Sequence, residues 1–242
     1  MSRPRQPGQR PFDVVLYGAT GFVGRQTAHY FADHAQGVRW AIAGRSAPRL
    51  GALRADLGAA SPAIVVADAD DAAALDTLAA QTRVVLSTAG PFARYGSELV
   101  AACVRQATHY VDITGETPWV RRMIDRHHED AAARGIRIVP GCGFDSVPSD
   151  LGAWLVARAL QQRHGGERCA RVKACFSIHG GLNGGTVASL INALDQGDAA
   201  GLDDPFLLNP PGTAPADAAA HRDPAGALHD AESILFFHLR SE

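Results

Sequence analysis

Lysine is almost missing from this chain of 242 residues: lysines and arginines together number 23, and Lys173 is the only lysine among them. This scarcity bears on one class of reductases and epimerases, in which a lysine four residues after a tyrosine lowers the pKa of the tyrosine hydroxyl. No tyrosine precedes Lys173 at that spacing. Acid–base chemistry by a Tyr-x-x-x-Lys pair is therefore excluded.

Cysteines and long apolar runs are also scarce. The four cysteines form no C-x-x-C pair and have no histidine at metal-ligand spacing, so we predict no metal site and free thiols in a reduced, cytoplasmic protein. No apolar run approaches the ~20 residues that span a bilayer, and residues 1–12 lack the apolar core of a secretory signal. The net charge of −2 gives no general attraction to nucleic acid. We expect a small-molecule substrate, and a homodimer is compatible with the sequence.

Short apolar segments without polar alternation recur along residues 12–145, and amphipathic segments separate them. Such segments are typical of strands in a parallel sheet that helices cover on both faces. Right-handed crossovers then give a Rossmann-type, doubly wound α/β domain over residues 12–145. The predicted strands are Val14–Tyr17, Trp40–Ala43, Ile64–Ala67, Val84–Thr88, Tyr110–Ile113 and Ile136–Val139.

The two ends of the chain differ from this pattern. Residues 1–11 are rich in proline, glutamine and arginine, and we expect a disordered tail there. Residues 146–242 predict part of a second domain, with a flexible segment over 197–230. Because that domain begins and does not finish, we expect a chain truncated at its C-terminus. The predicted elements are a helix over Asp150–Gln162 with Ser149 or Asp150 as its cap, a strand over Arg171–Ile178 and a helix over Thr186–Leu194.

The most informative segment is FDVVLYGATGFVG, residues 12–24. Its apolar run ends in three glycines spaced G-x-x-G-x-x-G, and a helical pattern follows. A glycine turn between a strand and a helix brings the amides of the helix N-terminus to the diphosphate of a dinucleotide. We therefore predict that this turn binds a dinucleotide through Gly18, Ala19, Thr20, Gly21, Phe22, Val23 and Gly24.

Three further segments end predicted strands. Arg45 and Ser46 stand where NAD enzymes usually carry an acidic residue for the ribose 2′-hydroxyl, and they suit a 2′-phosphate instead. We therefore expect NADP(H) in preference to NAD(H), the alternative being a solvated arginine. Asp68 either accepts a hydrogen bond from the adenine amino group or caps the following helix. Small residues after the fourth strand allow close approach to ribose and nicotinamide, namely Thr88, Ala89, Gly90 and Pro91; alternatively, Pro91 and Phe92 form a rigid turn with a packed ring.

Four residues are candidates for proton transfer. Asp112 lies at the end of the predicted fifth strand and Glu116 shortly after it, where a carboxylate positions substrate or moves a proton. Alternatively, Asp112 holds a neighbouring loop and Glu116 begins the next helix. Asp145 lies in the dense motif PGCGFDSVPSD, and His179 stands just before the segment GGLNGG. The residue type alone does not choose among the four, so the catalytic acid or base stays open.

At these residues the chain resembles the saccharopine dehydrogenase-like oxidoreductases, and most of all their bacterial branch of trans-acting enoyl reductases. The resemblance implies a Rossmann NADP-binding domain. It also implies that residues 146–242 are part of an α+β domain for substrate binding or dimerisation, which in relatives continues beyond this length. The segments that carry it are VVLYGATGFVG, AIAGRS, STAGPFARYGSELVAAC, HYVDITGE, PGCGFDSVPSDLG and GGLNGGT.

Two functions follow from this resemblance as expectations. The first is an NADP-dependent oxidoreductase that transfers a hydride between nicotinamide and an organic substrate. The sequence has no obvious cluster of Lys and Arg for the carboxylates of saccharopine, which favours an enoyl or acyl substrate. The second is a non-catalytic NADP-binding module or an inactive, truncated member of the family.

Overall fold

The computed structural model describes residues 10–144 and 146–166 continuously. It also describes residues 169, 171–173, 184, 191, 204, 206–210, 212–213 and 238–240. The strands are β1 (Phe12–Tyr17), β2 (Trp40–Gly44), β3 (Ala63–Val66), β4 (Thr82–Ser87), β5 (His109–Asp112), β6 (Ile138–Val139), β7 (Arg171–Lys173) and β8 (His238–Arg240). The helices are α1 (Phe22–His34), α2 (Ala47–Asp56), α3 (Ala72–Ala80), α4 (Phe92–Tyr95), α5 (Ser97–Arg105), α6 (Thr117–Ala133) and α7 (Val147–Arg163).

Six parallel strands form one sheet in the order β3-β2-β1-β4-β5-β6. Leu16 in β1 lies opposite Ile42 in β2 and opposite Leu86 in β4. The chain builds outward from β1 to β3 and then returns to place β4 on the other side of β1. The strand order therefore reverses between β1 and β4, the place where open α/β sheets form a ligand crevice at the carboxyl ends of their strands. The predicted Rossmann-type parallel sheet is confirmed.

The core lies on both faces of this sheet. Successive side chains of a strand point to opposite faces, and in β1 both sets are apolar: Val15 and Tyr17 belong to one buried cluster and Leu16 to the other. The first cluster includes Leu75 of α3, Leu99 of α5 and Trp119 of α6. The second includes Ala28 of α1 and Leu50 and Leu53 of α2. This two-sided burial explains why the strands show no polar alternation.

Two local predictions are corrected. The four-residue helix α4 was not predicted, because a single turn is too short to show a helical period. Helix α7 begins at Val147 with Ser146 as its N-cap, so Ser149 and Asp150 lie inside its first turn and do not cap it. Pro148 suits that early start, since a proline in the first turn removes an amide that has no acceptor within the helix.

The predicted disordered tail over residues 1–11 is wrong at Arg10, which is buried. The Arg10 guanidinium donates hydrogen bonds to the carbonyls of Thr82 and Gln106 and to the hydroxyl of Thr108. Carbonyls at the C-terminal end of a helix lack partners within the helix and attract a cation, and Gln106 directly follows α5. Arg10 therefore fastens the chain at the amino edge of the sheet. Residues 1–9 lie outside the described residues.

The predictions for residues 146–242 can be followed only in part. Residues 171–173 of the predicted strand form β7, which pairs antiparallel with β8. The rest of that strand, the predicted helix over Thr186–Leu194 except Ile191, and most of segment 197–230 lie outside the described residues. Within the part of the chain that is described, no helix has the length and apolarity to cross a bilayer.

Candidate functional site

The cofactor-binding residues expected from the sequence meet at one edge of the sheet. Because all six strands are parallel, their carboxyl ends share that edge. The glycine turn follows β1, and residues 45–46 follow β2. Asp68 follows β3, and residues 88–91 follow β4. These segments, far apart in sequence, therefore follow four adjacent strands along one edge, and the strand order reverses between β1 and β4.

Two glycines of the turn stand where no side chain fits. Gly18 has a φ of +81°, and a Cβ there would lie 2.8 Å from the amide nitrogen of Ala89. At Gly24 a Cβ would lie 2.2 Å from the carbonyl oxygen of Gly18. Both distances are shorter than atoms can approach, so the turn after β1 contacts the segment after β4 directly and α1 packs on the turn.

The N-terminus of α1 is left without a side-chain cap. Its N-cap residue is the exposed Gly21, and α1, all of which is described, has no acidic residue in its first turn. The amides of Phe22, Val23 and Gly24 have no acceptor within the helix, because the first turn never does. Bare amides, the positive end of the helix dipole and the absence of a competing carboxylate together suit a bound anion. This cradle fits the diphosphate of a dinucleotide.

The segment after β4 is tied to the glycine turn. The hydroxyl of Thr88 lies 3.1 Å from the carbonyl oxygen of Tyr17 and 3.2 Å from that of Gly18, and it donates to them. Thr88 thus holds the two loops together. Phe92 is buried, and its ring lies 5.9 Å from the ring of Trp119. The interpretation of Pro91 and Phe92 as a turn with a packed ring matches this geometry at Phe92.

Arg45 and Ser46 stand side by side after β2. Arg45 is exposed. Ser46 is the N-cap of α2, and its hydroxyl oxygen lies 3.5 Å from the amide nitrogen of Arg49. A hydroxyl that accepts a hydrogen bond still has its own proton to donate. The fork of a guanidinium, a serine hydroxyl and a helix without acidic residues in its first turn fit a phosphate group at the end of β2.

Asp68 does not cap the following helix. Its carboxylate accepts a hydrogen bond from the amide of Asp70 at 3.2 Å, while the N-cap of α3 is Asp71, which accepts from an amide of the first turn at 3.0 Å. The capping alternative is therefore wrong. Asp68 also acts on Tyr17: burial is the main cause that raises the pKa of Tyr17 to about 12, Asp68 adds to it, and Arg45 opposes it.

Asp112 is fully buried at the end of β5 and accepts three hydrogen bonds. One carboxylate oxygen accepts from the amides of Thr114 and Gly141, both at 3.0 Å, and the other accepts from the hydroxyl of Tyr110 at 2.8 Å. Burial raises the pKa of Asp112, and the three donors counteract that rise. The alternative in which Asp112 holds a neighbouring loop matches this structure, since Gly141 follows β6.

Glu116 is the N-cap residue of α6, but its side chain serves another helix. Its two carboxylate oxygens accept hydrogen bonds from the amides of Phe92 and Ala93, each at 2.8 Å. These amides open α4, so Glu116 fills the N-terminus of that helix with negative charge. The prediction that Glu116 begins the next helix matches its place at the start of α6.

Sequence reasoning did not single out Tyr110 as a partner of Asp112. A signal was available, because residues two apart in a strand lie on the same face. The catalytic candidates Asp145 and His179 lie outside the described residues, so the structure places neither of them. A cavity of about 310 Å³ between α6 and the outer strands, lined by Tyr110, Met123 and Ile138 among others, includes no residue of the glycine turn.

Comparison with known proteins gives consistent results. Residues 14–139 match the family model of the saccharopine dehydrogenase NADP binding domain. The trans-acting enoyl reductase of Mycobacterium leprae is 46% identical over 192 residues, which cover 78% of this chain and 46% of that protein. A Mycobacterium tuberculosis protein whose name also contains the words trans-acting enoyl reductase is 44% identical over 208 residues, 83% of this chain and 50% of that protein. The chain thus spans about half the length of these relatives.

Among solved structures, saccharopine dehydrogenase (L-Glu forming) from Saccharomyces cerevisiae superposes with a TM-score of 0.55 at 22% identity. The superposition covers 68% of this chain and 34% of the yeast protein. At that identity the likeness concerns the fold alone.

Proposed function

The chain belongs to the saccharopine dehydrogenase NADP-binding family, whose model matches just over half of it, and from that premise we propose that it is an NADP-dependent oxidoreductase. The observation that carries the proposal is the uncapped N-terminus of α1 beside the β1–β4 crevice. Together these features support a bound dinucleotide whose diphosphate accepts hydrogen bonds from the first amides of α1.

The remaining cofactor contacts follow from the order of the strands. Arg45 and Ser46 would hold the 2′-phosphate of NADP(H), which gives a preference over NAD(H). Asp68, which does not cap a helix, is free to receive the adenine amino group. Residues 88–91 would line the nicotinamide half, since they contact the glycine turn from the β4 side. The bound cofactor supplies the hydride, and the protein orients and shields it.

We assign an enoyl or acyl compound as the substrate class. Two relatives carry the name trans-acting enoyl reductase, and the sequence has no obvious cluster of basic residues for a substrate with several carboxylates. The chain spans about half the length of those relatives. Both the reductase activity and the substrate class are therefore proposals for this chain.

We assign proton delivery to a group other than Asp112 and Glu116, because both carboxylates are engaged in holding the backbone. Each accepts two hydrogen bonds from backbone amides of other segments or of its own loop. Asp145 and His179 therefore stay as the candidates for proton transfer among the residues expected from the sequence.

One experiment tests the activity. Titration calorimetry measures binding of NADPH and NADH to the full chain, and absorbance at the nicotinamide band follows oxidation of NADPH with enoyl thioesters and with amino-acid substrates. Tight NADPH binding with turnover of an enoyl thioester supports the oxidoreductase.

A second candidate function, a non-catalytic NADP-binding module, is favoured by the family match, which covers residues 14–139 and concerns cofactor binding alone. Tight binding without turnover of either substrate class supports a non-catalytic NADP-binding module. Absence of NADPH binding contradicts both functions.

A further inference from the structure

We propose that Glu116 is a positioning residue for the cofactor: it fixes the turn after β4, residues 88–91, in the shape that receives the nicotinamide half. This inference rests on the NADP(H) binding proposed above. It replaces the expectation that Glu116 acts in proton transfer.

The contact itself has the geometry of a clamp. Both oxygens of the Glu116 carboxylate are engaged, one by the amide of Phe92 and one by the amide of Ala93, each at 2.8 Å. These two amides follow directly on Pro91 and have no acceptor within α4. Hydrogen bonds to an ionised acceptor are stronger than neutral ones. The carboxylate therefore fixes the orientation of the peptides on which residues 88–91 end.

The first turn of α6 holds α4 at a second point. The ring of Trp119 lies 5.9 Å from the ring of Phe92, and the Trp119 indole donates a hydrogen bond to the hydroxyl of Ser97 at 3.0 Å. A Cβ on Gly96 would lie 2.8 Å from the Trp119 ring, so the indole packs directly on the backbone between α4 and α5. Glu116 and Trp119 thus hold the beginning and the end of α4.

The other end of the segment is held by Thr88, whose hydroxyl donates to the carbonyls of Tyr17 and Gly18. Residues 88–91 are therefore held at one end by hydrogen bonds to the glycine turn and at the other by the Glu116 carboxylate. Without that carboxylate, the segment proposed to contact the nicotinamide half should become more mobile. The adenosine side, which lies over β2 and β3 near Arg45, depends on none of these contacts.

Two ligands therefore test the proposal, because one reaches both sides of the crevice and the other only the adenosine side. NADPH reaches both sides, whereas adenosine 2′,5′-bisphosphate carries only the adenosine half with its 2′-phosphate. In the full chain, Glu116→Ala should weaken NADPH about tenfold, the effect of losing a charge-assisted hydrogen bond. The affinity for the bisphosphate should stay within about twofold of wild type. Glu116→Gln retains one acceptor oxygen, so its NADPH affinity should lie between that of wild type and that of Glu116→Ala.

The matched control is Glu129→Ala, which removes an exposed carboxylate from the same helix α6. It should change neither affinity. Unchanged NADPH affinity in Glu116→Ala would overturn the positioning role. Equal weakening of both ligands would also overturn it, because that result describes general damage to the domain. A wild-type chain that binds neither ligand would overturn the proposed function, and this inference with it.

Discussion

Two helices begin after the neighbouring strands β1 and β4, and their N-termini are completed in opposite ways. Helix α1 starts at the exposed Gly21 with no side-chain cap. Helix α4 starts with its amides bound to the carboxylate of Glu116. The positive end of each helix attracts an anion, but only at α1 is that place left for a ligand. The difference supports the start of α1 as the proposed diphosphate site: the Glu116 carboxylate occupies the start of α4, and Gly21 leaves the start of α1 without a side-chain cap.

The largest effect is expected from adding a side chain at Gly24, where α1 packs on the glycine turn. In Gly24→Ala the new Cβ would lie 2.2 Å from the carbonyl oxygen of Gly18, so α1 must move away from the turn. We expect NADPH affinity to fall about 100-fold or more. Overpacking of this kind lowers the free energy of unfolding by about 1–3 kcal/mol. Calorimetry and urea unfolding measure the two quantities.

Gly51→Ala is the control for that change. Gly51 lies in α2, and a Cβ there meets nothing within 4 Å. It should raise the free energy of unfolding by up to about 1 kcal/mol and leave NADPH affinity unchanged. Normal NADPH binding by Gly24→Ala would contradict the account of the turn.

The next variant makes the two helix N-termini alike. Gly21→Asp places a carboxylate at the N-cap of α1, where φ is −74° and the new Cβ would lie 3.3 Å from the carbonyl oxygen of Gly18. The helix should keep its stability or gain a few tenths of a kcal/mol, because the better capping by aspartate offsets that tight contact. NADPH should bind about tenfold more weakly or worse, because the carboxylate competes for the amides and repels the diphosphate. An unfolding curve and a titration on one sample give both results. A variant that gains stability without losing affinity would show that the diphosphate binds elsewhere.

A smaller effect is expected at the far end of the nucleotide. Arg45→Asp removes the cation placed for the 2′-phosphate and offers a carboxylate to a ribose hydroxyl. NADPH affinity should fall about tenfold relative to NADH affinity. Arg54→Ala, at the opposite end of α2 and also exposed, is the control and should alter neither. An unchanged ratio of the two affinities in Arg45→Asp would remove the basis for NADP preference.

The smallest effect on NADPH affinity is expected from a change at the amino edge of the sheet, opposite the carboxyl edge where the cofactor is proposed to bind. Arg39, by hydrogen bonds from its side chain and amide, lowers the pKa of Asp13 from 3.8 to about 2. A folded pKa below the ordinary value stabilises the protein above pH 3.8, and the contribution disappears as the pH falls towards about 2.

Asp13→Asn should therefore be less stable than wild type at neutral pH, and the difference in free energy of unfolding should shrink between about pH 4 and pH 2. NADPH affinity at neutral pH should not change, because Asp13 lies near the start of β1 and the glycine turn follows the opposite end of that strand. Urea unfolding across the acid range measures the first effect and calorimetry the second. A stability difference that stays constant with pH would contradict the ion pair of Asp13 with Arg39.

The sheet could be predicted from sequence because its signals are local. Each strand is a short apolar run, and the glycine spacing of residues 18–24 reports a strand, a turn and a helix within one segment. Right-handed crossovers limit the possible strand orders, and the structure supplies the order β3-β2-β1-β4-β5-β6.

The contacts that complete the site could not be predicted in this way. Glu116 reaches amides more than 20 residues earlier in the chain, and no local pattern records such a pairing. Arg10 was missed for a related reason: the composition of residues 1–11 indicates disorder, whereas its partners Thr82 and Gln106 come together only in the folded domain. Asp68 and Asp71 show that prediction from sequence also fails over short distances. Either carboxylate could cap α3, and only the backbone geometry selects Asp71.

A crystal structure of the chain with NADPH tests the central claim most directly. The account predicts diphosphate oxygens within hydrogen-bond distance of the first amides of α1, with Glu116 still bound to the amides of Phe92 and Ala93. A diphosphate bound at the start of α4 in place of the Glu116 carboxylate, or anywhere that leaves the amides of α1 without a phosphate oxygen, would contradict it.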